Sequence, residues 1–181
     1  MRTRQYDTLG DDAVTELAQR ALRNYPQEVR GVPRLLCRSE NSTFLVQASG
    51  GRYALRVHRG NYHTRENIDG ELRWLDALRE DTGLVVPQAV RDCQGGEIQT
   101  LRLSDGSSRN AVLFHWIEGE MPTLGVDPKA FRQLGEVTAR LHQHSKSWKK
   151  PQGFCRIVWN HETMSAQAGP QYTGGHRRSV R

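Results

Sequence analysis

Two residues of opposite charge stand where charge is expensive to place. Arg56 lies in residues 52–58, where Tyr53, Leu55 and Val57 alternate with Ala54, Arg56 and His58. That alternation is a strand with two faces, and Arg56 shares its face with the small Ala54. Glu71 lies in residues 64–80, where Ile68, Leu72, Leu75 and Leu78 recur at helical spacing. Glu71 falls three residues after Ile68 and four before Leu75, so it projects toward the apolar side of that helix. A carboxylate there is costly unless a cation or hydrogen bonds compensate it. A strand cation held by a helix carboxylate is an arrangement that grips phosphate oxygens. The small Ala54 would leave space for a flat base against the sheet. The same spacing also suits an ordinary structural ion pair.

The elements that must position this pair follow from pattern and punctuation. Residues 11–25 carry Val14, Leu17, Ala18, Ala21, Leu22 and Tyr25 on one stripe; Asp11 or Asp12 is placed to cap that helix and Pro26 to stop it. Three short strands follow at 34–39, 42–48 and 52–58, broken by Glu40-Asn41 and by Ser49-Gly50-Gly51. They read as an antiparallel meander. After the helix at 64–80 come strands at 85–91, 97–103 and 110–117, with Gly95-Gly96 and Asp105-Gly106 at the turns. A last helix is predicted at 127–145, with Asp127 as N-cap and Pro128 at its first position. Phe131, Leu134, Thr138, Leu141 and Ser145 share one face of it. His142 and His144, near its end, fit a helix-end feature better than a metal pair. Residues 154–159 offer apolar packing, and the Gly-, Ser-, Gln- and Arg-rich 165–181 read as a disordered tail.

The bulk numbers exclude several classes. The 181 residues are 36% hydrophobic and 25% charged, with a mean hydropathy of -0.72, a wet composition for one compact globule. The formal charge of +6 comes from 26 Lys and Arg against 20 Asp and Glu. Those cations are dispersed, with no basic run interleaved with aromatics, which argues against a nucleic-acid surface. The excess suits an anionic ligand. Cys37, Cys93 and Cys155 are far apart and odd in number, so neither a disulfide framework nor a zinc motif is indicated. A reduced, cytoplasmic setting is the simple expectation. The polar N-terminus lacks a signal-peptide core, and no apolar run approaches the ~18 residues that span a membrane.

The chain resembles the aminoglycoside phosphotransferase and type II homoserine kinase superfamily. Tyr53-Ala54-Leu55-Arg56-Val57-His58-Arg59 looks like its third strand, and Glu71-Leu72-Arg73-Trp74-Leu75-Asp76-Ala77-Leu78 like its helix C. Val112-Leu113-Phe114-His115-Trp116-Ile117-Glu118-Gly119 resembles its hinge. Leu134-Gly135-Glu136 with Ala139-Arg140-Leu141-His142 is similar to the first helix of its C-terminal lobe, and 154–163, with Trp159, to the linker beyond. The likeness runs from about residue 34 to 164. It implies an α+β, protein-kinase-like fold. Residues 1–118 would form the nucleotide-binding lobe and hinge, and 119–164 the start of the C-terminal lobe. ATP would be the cofactor, with Mg2+ in a full-length parent. Arg56 would contact the phosphates and Glu71 would orient it. The turn Glu40-Asn41-Ser42-Thr43, not glycine-rich, would lie over the phosphates, with Ser42 and Thr43 as donors. Ala54 and the backbone of His115, Trp116 and Ile117 would receive adenine. Singly, Ser42 and Thr43 also suit a plain turn, and Trp74 and Trp159 plain packing.

One part of the pattern is missing. The superfamily places its catalytic Asp in a His-Gly-Asp loop, followed by an Asn and a later Asp on magnesium. No His-Gly-Asp run stands in the sequence, and Asp127 is the single aspartate after the hinge. The expectation is a truncated or frameshifted coding sequence whose product is inactive, with no catalytic or metal residues of its own. The alternative is a pseudokinase-like binding module. The acceptor, bound by a C-terminal lobe, stays open among homoserine, aminoglycoside, choline and a protein Ser or Thr. An apolar face left on the helix at 127–145 would favour self-association.

Overall fold

The computed structural model describes residues 9–119 and 127–157. Helix α1, Asp11–Leu22, buries Val14, Leu17, Ala18, Ala21 and Leu22, the predicted stripe. Its start differs from expectation. Gly10 is the N-cap and no side chain caps the helix. The Asp11 carboxylate is taken by Arg38 at 2.5 Å, which ties the helix start to the first strand. A single 3-10 turn, Gln27–Val29, follows.

Five strands form one antiparallel sheet: β1 Val32–Arg38, β2 Asn41–Ala48, β3 Gly51–His58, β4 Gln99–Arg102 and β5 Ser108–His115, in the order β1-β2-β3-β5-β4. Strands β1 to β3 are the predicted meander. Residues 85–91, predicted as a strand, make only one bridge, Ala89 to Phe114. Val90 N–H reaches the Leu113 carbonyl at 2.7 Å and His115 N–H the Gln88 carbonyl at 2.9 Å. Pro87, with no N–H to donate, interrupts any longer ladder. Val85 is left 82% exposed.

The two faces of the sheet are covered differently. Phe44, Val46, Tyr53, Leu55, Val57, Leu101, Ala111 and Leu113 pack with the buried stripe of α1 in one core. The other face receives α2, Arg65–Thr82, through Ile68 and Leu72 against Ile98, Val112 and Phe114, with Ala54, Leu75 and Ala89 at the edge. Helix α2 has firm ends. Thr64 and Asn67 exchange bonds of 3.3 and 3.4 Å in a capping box, and Gly83 closes the helix at φ 64°.

Helix α3, Pro128–Ser147, starts as predicted, with Asp127 accepting from the Lys129 N–H at 2.9 Å. It meets the rest of the molecule near its end. His144 is buried, and its Nε2 lies 2.9 Å from Asp81 Oδ2 at the end of α2. Trp148 stacks on His144 at 5.9 Å, and Phe154 meets Trp148 edge-on at 5.0 Å. Phe131, Leu134 and Val137 are exposed. The predicted tail 165–181 and Trp159 lie outside the described residues.

Candidate functional site

Strand register sets the site. Arg56 pairs with Thr43 on β2 and Val112 on β5; Ala54 pairs with Leu45 and Phe114. These two rows lie on the face that α2 partly covers. Arg56 Nη1 donates to Glu71 Oε1 at 2.8 Å, and the guanidinium lies 4.9 Å from the centre of the Phe114 ring. The predicted pair is therefore made, beside the predicted small residue.

Glu71 has a second partner. Arg156 Nη1 donates to Glu71 Oε2 at 3.1 Å and to the Asn67 carbonyl at 3.2 Å. Asn67 in turn donates from Nδ2 to Cys155 Sγ at 3.1 Å. A Cβ on Gly70 would fall 2.4 Å from the Cys155 carbonyl oxygen, so only glycine admits this close approach. Burial alone would raise the Glu71 pKa. The charge and hydrogen bond of Arg56, followed by those of Arg156, outweigh it and hold the carboxyl below the ordinary glutamate value. Sequence reading missed Arg156, because nothing in its own neighbourhood marks it.

His58 was also passed over as a site residue. It lies two residues beyond Arg56 on the same face, 2% exposed, and neither ring nitrogen has a hydrogen-bond partner among the described residues. Burial first, and then the Arg56 charge, lower its pKa to about 4, so it is neutral near pH 7. The alternation that pointed to Arg56 would have pointed here too.

The predicted phosphate turn is arranged otherwise. Ser39 and Glu40 make the turn, whereas Ser42 and Thr43 already belong to β2. Thr43 lies opposite Arg56. Ser42, opposite Val57, is buried on the α1 side of the sheet. Its hydroxyl does not converge with Arg56, and the alternation of Ser42 with Phe44 and Val46 carried that signal. Glu40 pairs with Arg59 at 3.0 Å, and Arg59 lies over Tyr62 at 4.0 Å. Beyond that turn lies a cleft of about 760 Å³ lined by Tyr62, His63, Thr64 and Ser107 among others, with neither Arg56 nor Glu71 in its wall.

At the other end of the face, the connection after β5 is held by its backbone. His115 N–H is used by Gln88, and Trp116 N–H donates to the Arg52 carbonyl at 3.2 Å. Arg52 also lies 5.7 Å from the centre of the Trp116 ring and pairs with Glu118. The His115 side chain is exposed, its ring 5.7 Å from that of Tyr53. Ile117 N–H meets no acceptor among the described residues. A small residue between Leu45 and Phe114 and an arginine braced by a carboxylate thus share one face, and a backbone donor without an acceptor among the described residues stands in the connection after β5. This set fits a nucleotide: a flat ring at Ala54 and phosphates at Arg56. Among the described residues, no group of three His, Cys, Asp or Glu side chains could by itself hold a metal ion. None of the described helices is long and apolar enough to cross a membrane.

Comparison with known proteins bears on the fold and the family. A microcompartment-associated aminopropanol kinase superposes with a TM-score of 0.72 and 38% sequence identity, covering 81% of this chain and 45% of that one. An amicoumacin kinase solved with AMP-PNP, Ca2+ and Ami gives a TM-score of 0.70 at 20% identity, covering 84% of this chain and 46% of that one, and so shares the fold. The chain thus spans less than half the length of either kinase. No curated protein sequence matches it. The pattern of the phosphotransferase enzyme family does match, over residues 34–167, and the chain belongs to that family.

Proposed function

We propose that this chain is the nucleotide-binding part of an ATP-dependent phosphotransferase that phosphorylates a hydroxyl group. The observation that carries the reading is the braced Arg56, 2.8 Å from Glu71 and in register beside Ala54. ATP supplies the phosphoryl group when bound. Arg56 would neutralise its phosphates, and Glu71 would keep the guanidinium aimed. Ala54, between Leu45 and Phe114, would seat the base, and Ile117 N–H would hydrogen-bond its edge. Thr43, opposite Arg56, is the better placed of the two predicted hydroxyls.

Residues 1–118 would serve as the nucleotide lobe and hinge, and 119–164 would begin the lobe that binds the acceptor. The likeness to an aminopropanol kinase favours a small hydroxyl-bearing acceptor over a protein side chain. Phosphoryl transfer needs a carboxylate at the acceptor hydroxyl and ligands for metal, and the sequence has no His-Gly-Asp run. Binding without turnover is therefore the share we assign to these 181 residues. The exposed Phe131, Leu134 and Val137 favour a second role for α3, as the surface that meets the rest of an acceptor lobe or a second copy of the chain. Three unpaired cysteines suit a cytoplasmic setting.

A magnesium-ATP thermal-shift titration tests the reading. A ligand that binds the folded state alone adds about 2.7 kcal/mol at a hundredfold excess over its Kd, roughly 5–10 °C for a chain of this size. The shift is expected in the wild type and lost in Arg56→Ala. An equal shift in both proteins would place the nucleotide elsewhere.

A further inference from the structure

We propose that Arg156 is a positioning residue of this site: it anchors the far oxygen of Glu71, so that the near oxygen stays on Arg56. The orientation of α2 is thereby tied to the segment that follows α3. The proposal rests on the nucleotide reading for its consequence and on geometry alone for its substance.

Arg56 touches Glu71 through one nitrogen and one oxygen. A single contact leaves the carboxylate free to turn about its side-chain torsions. Arg156 removes that freedom by taking the other oxygen at 3.1 Å. Its own place is fixed from two sides. The same Nη1 reaches the Asn67 carbonyl, one helical turn before Glu71, and the preceding residue, Cys155, receives the Asn67 amide at 3.1 Å. The Cys155 carbonyl lies in the space left by the missing side chain of Gly70. Asn67, Gly70 and Glu71 thus form one docking strip on α2, and residues 155–156 lie along it.

A merely superficial ion pair would need none of this. The Arg156 side chain is 37% exposed, and exposed pairs in general contribute little. What distinguishes this one is its target, a mostly buried carboxylate whose only other ion-pair partner among the described residues is Arg56. The charged and titratable groups around Glu71 are Arg56, Arg156, His58 and His63. With His58 neutral, the two arginines set the field. Removing Arg156 leaves Glu71 with one loose partner and frees Arg56 to swing.

The test is solution NMR of the Arg56 guanidinium and the Glu71 carboxyl, with ATP affinity measured alongside, in the wild type, Arg156→Gln, Arg156→Lys and Gly70→Ala. In Arg156→Gln the Glu71 carboxyl should titrate at higher pH, the Arg56 signals should lose their restricted exchange, and ATP should bind about three- to fivefold more weakly. Arg156→Lys keeps one nitrogen able to donate to both acceptors, as Nη1 does, and should restore the titration and most of the restriction. Gly70→Ala, which leaves every charge in place, should loosen Arg56 in the same way by displacing Cys155. Unchanged Arg56 signals in Arg156→Gln would overturn the proposal. Should ATP bind none of the four proteins, the nucleotide reading fails, and the Arg56 signals still decide the positioning role.

Discussion

The sheet with its two packed helices and helix α3 are equally regular, and they differ in what they bury. Helix α1 has no side-chain cap, yet five of its residues are buried beneath the sheet. Helix α3 has a better start, with Asp127 bonded to the Lys129 N–H and proline in the first turn, yet His144 is its single buried residue. Its apolar residues Phe131, Leu134 and Val137 face outward. Local chemistry therefore suffices to shape a helix, and burial depends on what stands opposite. The difference falls along the line between a sheet that holds its own core and a helix that offers an apolar face.

Truncating one leucine in each region should give the largest difference between them. Leu113 on β5 is fully buried, whereas Leu134 on α3 is 60% exposed. Leu113→Ala should cost about 3–5 kcal/mol, read from the urea midpoint. Leu134→Ala should stay within roughly 0.5 kcal/mol. Equal losses would mean that α3 has a covered face in solution, and a concentration-dependent midpoint would then identify a second copy as the cover.

Acid probes the same region through His58, which is buried with no hydrogen-bond partner among the described residues. The folded-state pKa of His58 is about 4, against an ordinary value of 6.5. The unfolded chain therefore binds the proton first as pH falls. Stability from this group is complete above pH 6.5 and is lost as pH drops toward 4. The loss should reach about 2 kcal/mol by pH 5. Melting the wild type and His58→Gln between pH 7.5 and pH 5 reads it as the excess slope of the wild type. Parallel slopes would show that His58 finds a partner or water in solution.

What the sequence disclosed, and what it concealed, follows from how local each signal is. The α1 stripe, the three-strand meander, the start of α3 and the meeting of Arg56 with Glu71 all rest on periodicity or capping within a few residues. Residues 85–91 carry the apolar run of a strand, but Pro87 breaks the donor pattern and leaves the single bridge of Ala89 with Phe114. Periodicity places Ser42 in the strand at 42–48, whereas the superfamily likeness draws it into the phosphate turn; the turn falls at Ser39-Glu40, and alternation turns Ser42 to the α1 side. The superfamily likeness lent Arg56 a ligand that the spacing alone could not name. Arg156 is silent in sequence. Its meaning comes from Gly70 and Asn67, far away along the chain, and only their packing against Cys155 brings it to Glu71.

The smallest effect separates the two regions most directly. His144 is the one buried residue of α3, and its Nε2 lies 2.9 Å from Asp81 on α2. Asp81 is 58% exposed, so solvent screens the pair and its worth is modest. Asp81→Ala should leave the sheet untouched and loosen the end of α3 where Trp148 stacks on His144. Amide exchange is the measurement suited to a local opening. Amides at 144–148 should exchange about three- to fivefold faster in the variant, with those of β3 and β5 unchanged. Acceleration spread equally over sheet and helix would mean that the two open as one cooperative unit. The contrast between a self-sufficient lobe and a docked helix would then be one of surface exposure and not of stability.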